Sequence, residues 1–140
     1  MKTKITVLAF LFLSGIVLLN SCNKEEEIAK PQITLTELGL DNSKIGYIGS
    51  DLHVEADLIA EGKIKNVSII IHPEDSATWE FDSVYTKFSG LKNATFHEHI
   101  EIPESADAGH YHFHLVVTDN EGNQTTAESE LELQFMTDKK

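Results

Sequence analysis

From residue 32 onward, apolar and polar residues alternate in short runs, and no stretch keeps the 3.6-residue period of an amphipathic helix. Seven segments have strand length: QITLTEL (32–38), DLHVEADLIA (51–60), NVSIIIHP (66–73), WEFDSVYTKF (79–88), ATFHEHIEIP (94–103), HYHFHLVVTD (110–119) and QTTAESELELQF (124–135). Each is rich in β-branched and aromatic residues, and Gly, Asn, Asp, Ser or Pro separates it from the next. Seven strands at this spacing predict an all-β sandwich. The period of two also predicts which side chains face the core. Tyr111, Phe113, Leu115 and Val117 form one inward row, and Phe96, Ile100 and Ile102 a second, with Glu98 as a polar intruder. Leu52, Val54, Ala56 and Leu58 form a third, and Val67, Ile69 and Ile71 a fourth.

Residues 1–21 break this pattern. A short basic head, Lys2 and Lys4, precedes an apolar run without acids, the layout of a secretory signal. The run ends at LLNSC, where a small residue precedes Cys22, the single cysteine. This resembles a bacterial lipobox, which implies cleavage before Cys22 and a lipid on that cysteine. The run is short for a membrane-spanning helix, so lipid rather than a span is the expected anchor. Residues 22–31, CNKEEEIAKP, read as a charged tether ahead of a domain at 32–140. The lysine and acids after the cysteine resemble the export signal of surface-exposed outer-membrane lipoproteins, and a solvated tether would carry the same charges. With Cys22 lipidated no disulfide can form, so the core alone must hold the fold.

Composition narrows the partners. The full chain carries a formal charge of −12, and loss of Lys2 and Lys4 moves the remaining 119 residues to −14. There is no arginine. Such a chain repels phosphate backbones and lacks the fork that grips them, so no nucleic-acid partner is expected. Cations suit its field better.

The stretch IPESADAGHYHFHLVVTDNEGN resembles the passage between the last strands of immunoglobulin-like bacterial domains, at Gly109, Tyr111, Asp119, Gly122 and Asn123. With HEHIEIP before it, the layout resembles the lipoprotein family known as domain of unknown function 4625. That resemblance implies an immunoglobulin-like sandwich and no activity. It also implies that the second segment pairs with the fifth and the third with the sixth.

Under that pairing the outward histidines sort into two clusters. His53, Glu55 and Asp57 lie beside His97, His99 and Glu101 on one outer face. His72 lies near His110 and His112 on the other. Histidines two apart on a strand are separated by about 6.5–7 Å, so their rings can converge on one ion. His110 and His114 are roughly twice as far apart, too far for a shared metal with bonds near 2 Å. His97, His99, His53 and Glu55 are therefore the first candidate ligand set for zinc or copper(II), and His110, His112 and His72 the second. Incidental polar imidazoles on a soluble face are the plainer alternative. Asp119 and its neighbours read as a turn sooner than as a calcium loop, and Trp79, Phe81, Tyr85 and Phe88 as core sooner than as a glycan platform.

No Ser/His/Asp arrangement, phosphate loop or HExxH is present, and no enzyme is expected. His-x-His on a sandwich strand resembles copper–zinc superoxide dismutase in spacing only, since no cysteine remains for that enzyme's disulfide. Two readings stand: a non-enzymatic, metal-binding outer-membrane lipoprotein, or a structural or adhesive module with a protein or glycan partner at the cell surface.

Overall fold

The computed structural model describes residues 26–137. Residues 1–21, expected to be a signal, and Cys22 lie outside the described residues. Among the described residues, eight strands run in the order β1 Gln32–Leu38, β2 Ile45–Tyr47, β3 Asp51–Ile59, β4 Ile64–Pro73, β5 Phe81–Tyr85, β6 Asn93–Glu101, β7 Gly109–Asp119 and β8 Gln124–Gln134. They form two sheets, β1-β3-β6 and β2-β8-β7-β4-β5, that enclose one core as an immunoglobulin-like β-sandwich. β3 pairs with β6 and β4 with β7, all antiparallel, while β2 runs parallel to β8.

The inward rows expected from alternation are the buried ones, with Phe96, Tyr111, Phe113 and Leu115 fully enclosed. Truncating such a core aromatic typically costs about 3–5 kcal/mol. Glu98, the intruder in the β6 row, meets the Lys87 ammonium at the sandwich margin, and that ammonium lies 5.1 Å from the centre of the Phe88 ring. The aromatics around β5 also belong to the core: Trp79 packs edge-on to Tyr111 at 5.7 Å, and Tyr85 to Phe96 at 5.1 Å.

β2 is the strand that alternation missed. Three residues are too few to show a period, and the central one is Gly46. A Cβ there would lie 2.6 Å from Ile102 Cδ1 and 2.7 Å from Leu133 Cδ2, so a larger residue would force those two buried side chains to shift before β2 could close against the core. β1 departs from strict alternation in another way. Its register against β3 shifts between Leu35 and Glu37, a bulge that keeps both Leu35 and Leu38 on the core side and turns Glu37 outward, opposite Glu55.

Two polar anchors pin the β7 ends. The Tyr111 hydroxyl donates to the Asp107 carbonyl at 2.8 Å, the tyrosine-corner arrangement of such sandwiches. The buried Asp119 carboxylate accepts from the backbone N–H groups of Glu121 (3.0 Å) and Asn123 (2.8 Å) and from Asn123 Nδ2 (3.0 Å). DNEGN is thus a turn closed by its own first residue.

Candidate metal centre

On the outer face of the three-stranded sheet, the β3–β6 register sets His53 opposite His99 and Glu55 opposite His97. Alternation keeps His97 and His99 on one side of β6, and the three imidazoles meet above the sheet. Their ring centres are 4.8 Å (His53–His97), 5.0 Å (His53–His99) and 5.4 Å (His97–His99) apart. His99 Nε2 lies 3.3 Å from His97 Nε2 and 3.5 Å from His53 Nδ1. One donor nitrogen from each ring falls within 4.8 Å of the other two.

Carboxylates stand behind the rings. His99 Nδ1 donates to Asp51 Oδ2 at 2.5 Å, which holds the Asp51 carboxyl below the usual carboxylate range. His97 Nδ1 faces Glu55 Oε2 at 3.7 Å, and His53 Nε2 faces Glu37 Oε2 at 3.5 Å and Glu55 Oε2 at 3.8 Å. These acceptors favour a proton on the outer nitrogen of each ring, which turns the lone pairs of the other three toward the shared space. A carboxylate behind each ligating imidazole is the usual second layer of a metal site. Tetrahedral coordination with bonds of about 2.0–2.1 Å sets nitrogens about 3.3–3.4 Å apart, and the separations of 3.3 and 3.5 Å bracket that value.

Of the first candidate set, the structure brings His53, His97 and His99 together. It puts Glu55 behind two of the rings, where it orients them, and not among the three converging nitrogens. Glu37, His53 and Glu55 also form an adjoining oxygen-rich set whose donor atoms lie within 4.8 Å of one another. Sequence reasoning missed Asp51 and Glu37. Asp51 shares the outward row of His53 and is diagonal to His99. Glu37 needs the bulge, whose only sequence sign is that two residues separate Leu35 from Leu38. Asp57 accepts from the Thr95 hydroxyl at 3.2 Å instead. Beside the histidines, a cleft of about 420 Å³ opens between Glu37, Leu40, Ile45, Tyr47 and Asp51.

The second face differs from expectation. His72 is opposite His112 in the β4–β7 register, as the pairing implied. Its ring neighbours, however, are His112 at 5.2 Å and His114 at 5.1 Å, and His114 rather than His110 reaches its Nε2, at 3.0 Å. His110 and His114 are both diagonal to His72, and sheet twist makes one diagonal of an antiparallel pair the closer. His110 lies where β4 ends, opposite Glu132, and its carbonyl accepts the Glu74 N–H at 3.0 Å.

Residues 20–134 match the family model described as Domain of unknown function (DUF4625). No curated protein matches the chain. Among solved structures, wild-type OgpA from Akkermansia muciniphila is similar at 11% identity and a TM-score of 0.55, over 78% of this chain and 29% of that one. A Niemann-Pick type C2 protein from Japanese carpenter ant is similar at 10% identity and a TM-score of 0.50, over 76% of this chain and 95% of that one. These likenesses concern the fold alone, and the chain spans less than a third of OgpA.

Proposed function

The chain belongs to the DUF4625 family, and we propose that it is a non-enzymatic metal-binding lipoprotein of the outer membrane, exposed at the cell surface and anchored through Cys22. The metal is zinc or copper, held by His53 Nδ1, His97 Nε2 and His99 Nε2. The observation that carries this reading is that His99 Nε2 lies 3.3 Å from His97 Nε2 and 3.5 Å from His53 Nδ1, with a carboxylate facing the outer nitrogen of every ring. Without a cation those nitrogens share a proton or repel one another, and the Glu37–Glu55 pair adds like charges directly across two strands. A divalent ion relieves both.

Three nitrogens leave one tetrahedral position for an exchangeable donor. His97 and His99 are about half exposed, with side-chain accessibilities of 54% and 52%, so ion and donor reach the site from solvent. That suits capture and hand-over better than a closed structural site. The acidic charge of the chain supplies an attractive field for the ion.

Calorimetric titration of the tag-free protein with zinc and with copper(II), repeated on His97→Ala/His99→Ala, tests this. The expected result is micromolar or tighter binding of zinc that the double variant abolishes. Zinc binding unchanged in the variant would remove the centre, and no binding of either metal would favour the adhesive-module reading. For the anchor, metabolic labelling with a fatty-acid analogue is expected on the wild type and not on Cys22→Ser.

A further inference from the structure

The histidines of the second face have no part in the centre on β3 and β6, and we infer that they form a separate copper(II) site built on His72 Nε2 and His114 Nε2. It rests on the same imidazole chemistry as the first centre but on none of its residues. The two nitrogens meet 3.0 Å apart, from ring planes inclined by only 16°. His114 Nδ1 faces Glu128 Oε1 at 3.4 Å, and His72 Nδ1 faces the carbonyl of Pro73 at 3.4 Å. These acceptors favour a proton on each Nδ1, and the tautomer in which one Nε2 keeps its proton shares it with the other as a hydrogen bond. In the first tautomer the two Nε2 lone pairs confront each other, and in either a metal ion can take the place between them.

Distance selects the metal. With nitrogen–metal bonds of about 2.0–2.1 Å, a separation of 3.0 Å subtends roughly 95° at the ion, whereas 3.3 and 3.5 Å subtend about 107° and 117°. The wider angles suit tetrahedral zinc. The near-right angle suits two adjacent positions of tetragonal copper(II), which also heads the divalent affinity order. A neighbouring donor set includes His112, whose ring centre is 5.2 Å from that of His72. Glu74, His112 and Glu130 offer ligand atoms within 4.8 Å of one another, and His112 Nδ1 lies 3.4 Å from Glu130 Oε1. Lys44 lines the same cleft of about 300 Å³ as His112, His114, Glu128 and Glu130, and its positive charge opposes the approach of a cation. The site is therefore the weaker of the two.

The test is titration of the tag-free protein with copper(II) chloride, with equivalents counted by electron paramagnetic resonance. The expected count is two for the wild type, one for His97→Gln/His99→Gln, one for His72→Gln/His114→Gln and none for the fourfold variant. A count that His72→Gln/His114→Gln leaves unchanged overturns the second site. A count of one in the wild type that persists in His97→Gln/His99→Gln and vanishes in His72→Gln/His114→Gln keeps the second site and removes the first. Should a variant misfold, the wild type still decides: sheets about 10 Å apart with ions on their outer faces place two coppers roughly 20 Å apart. A dipolar coupling at that range supports the site, and a doubly loaded protein lacking it contradicts it.

Discussion

The two histidine faces sit on opposite sheets of one sandwich, yet they are assembled differently. On β3 and β6, two histidines of one strand meet a third directly across the ladder, and carboxylates from β1 and β3 back all three rings. On β4 and β7, His72 likewise has a directly opposed histidine, His112, but His112 Nδ1 faces Glu130, the nitrogen that reaches His72 Nε2 comes from the diagonal His114, and the carboxylates come from β8. A directly opposed pair fixes where a side chain falls through register alone. A diagonal pair depends on twist as well. Both faces hold one opposed and one diagonal histidine, and they differ in the opposed one: His99 turns Nε2 to His53 whereas His112 turns Nδ1 to Glu130, which leaves three nitrogens together on one face and two on the other.

The largest expected effect that separates the faces is thermal. Zinc at one hundred times its Kd stabilises the folded state by about 2.7 kcal/mol, a rise in Tm on the order of 10 °C for a domain of this size. Calorimetry should show that rise in the wild type and in His72→Gln/His114→Gln, and not in His97→Ala/His99→Ala. An equal rise in all three would erase the distinction between the faces.

A scaffold change should be blind to the comparison. Asp119→Ala leaves two turn N–H groups and the Asn123 amide without their acceptor, at a cost of about 2 kcal/mol in chemical denaturation. Metal affinities of the folded fraction should stay as they are on both faces. A loss confined to one face would mean that the β7–β8 turn positions its histidines.

Asp51→Asn sharpens the contrast from the second layer. It should weaken zinc binding at the first centre about tenfold, since outer-layer partners typically tune affinity by about 10–100-fold, and leave copper at His72 and His114 unaffected. Equal weakening at both would point to the general field of the chain instead of to ring orientation.

The smallest effect is on acid stability. The His99 hydrogen bond holds the Asp51 carboxyl below its ordinary range. Its contribution is therefore present above the ordinary carboxylate pKa and is lost as pH falls through the lowered folded value. Urea unfolding of the metal-free protein below about pH 4 should fall slightly more steeply for the wild type than for Asp51→Asn. Parallel profiles would show that this exposed pair does not stabilise the fold.

Much of the first face was legible in the sequence because strand alternation and immunoglobulin-like pairing are both robust. Ala56 opposite Phe96 and Val54 opposite Glu98 lock a register that carries His53 to His99. A slip of one residue would bury the histidines. Glu37 was illegible because a bulge, not alternation, aims it outward. His114 was illegible because pairing gave two equivalent diagonals and only the twist of the folded sheet chose between them. β2 was hidden by its length, and its place is legible only from the space that Gly46 leaves for Ile102 and Leu133.

Diffraction at the zinc absorption edge from zinc-soaked crystals tests the central claim most directly. The expected result is an anomalous peak about 2.0–2.1 Å from His53 Nδ1, His97 Nε2 and His99 Nε2 together. Zinc bound elsewhere with these three rings splayed apart, or no peak at that point in zinc-saturated crystals, would contradict it.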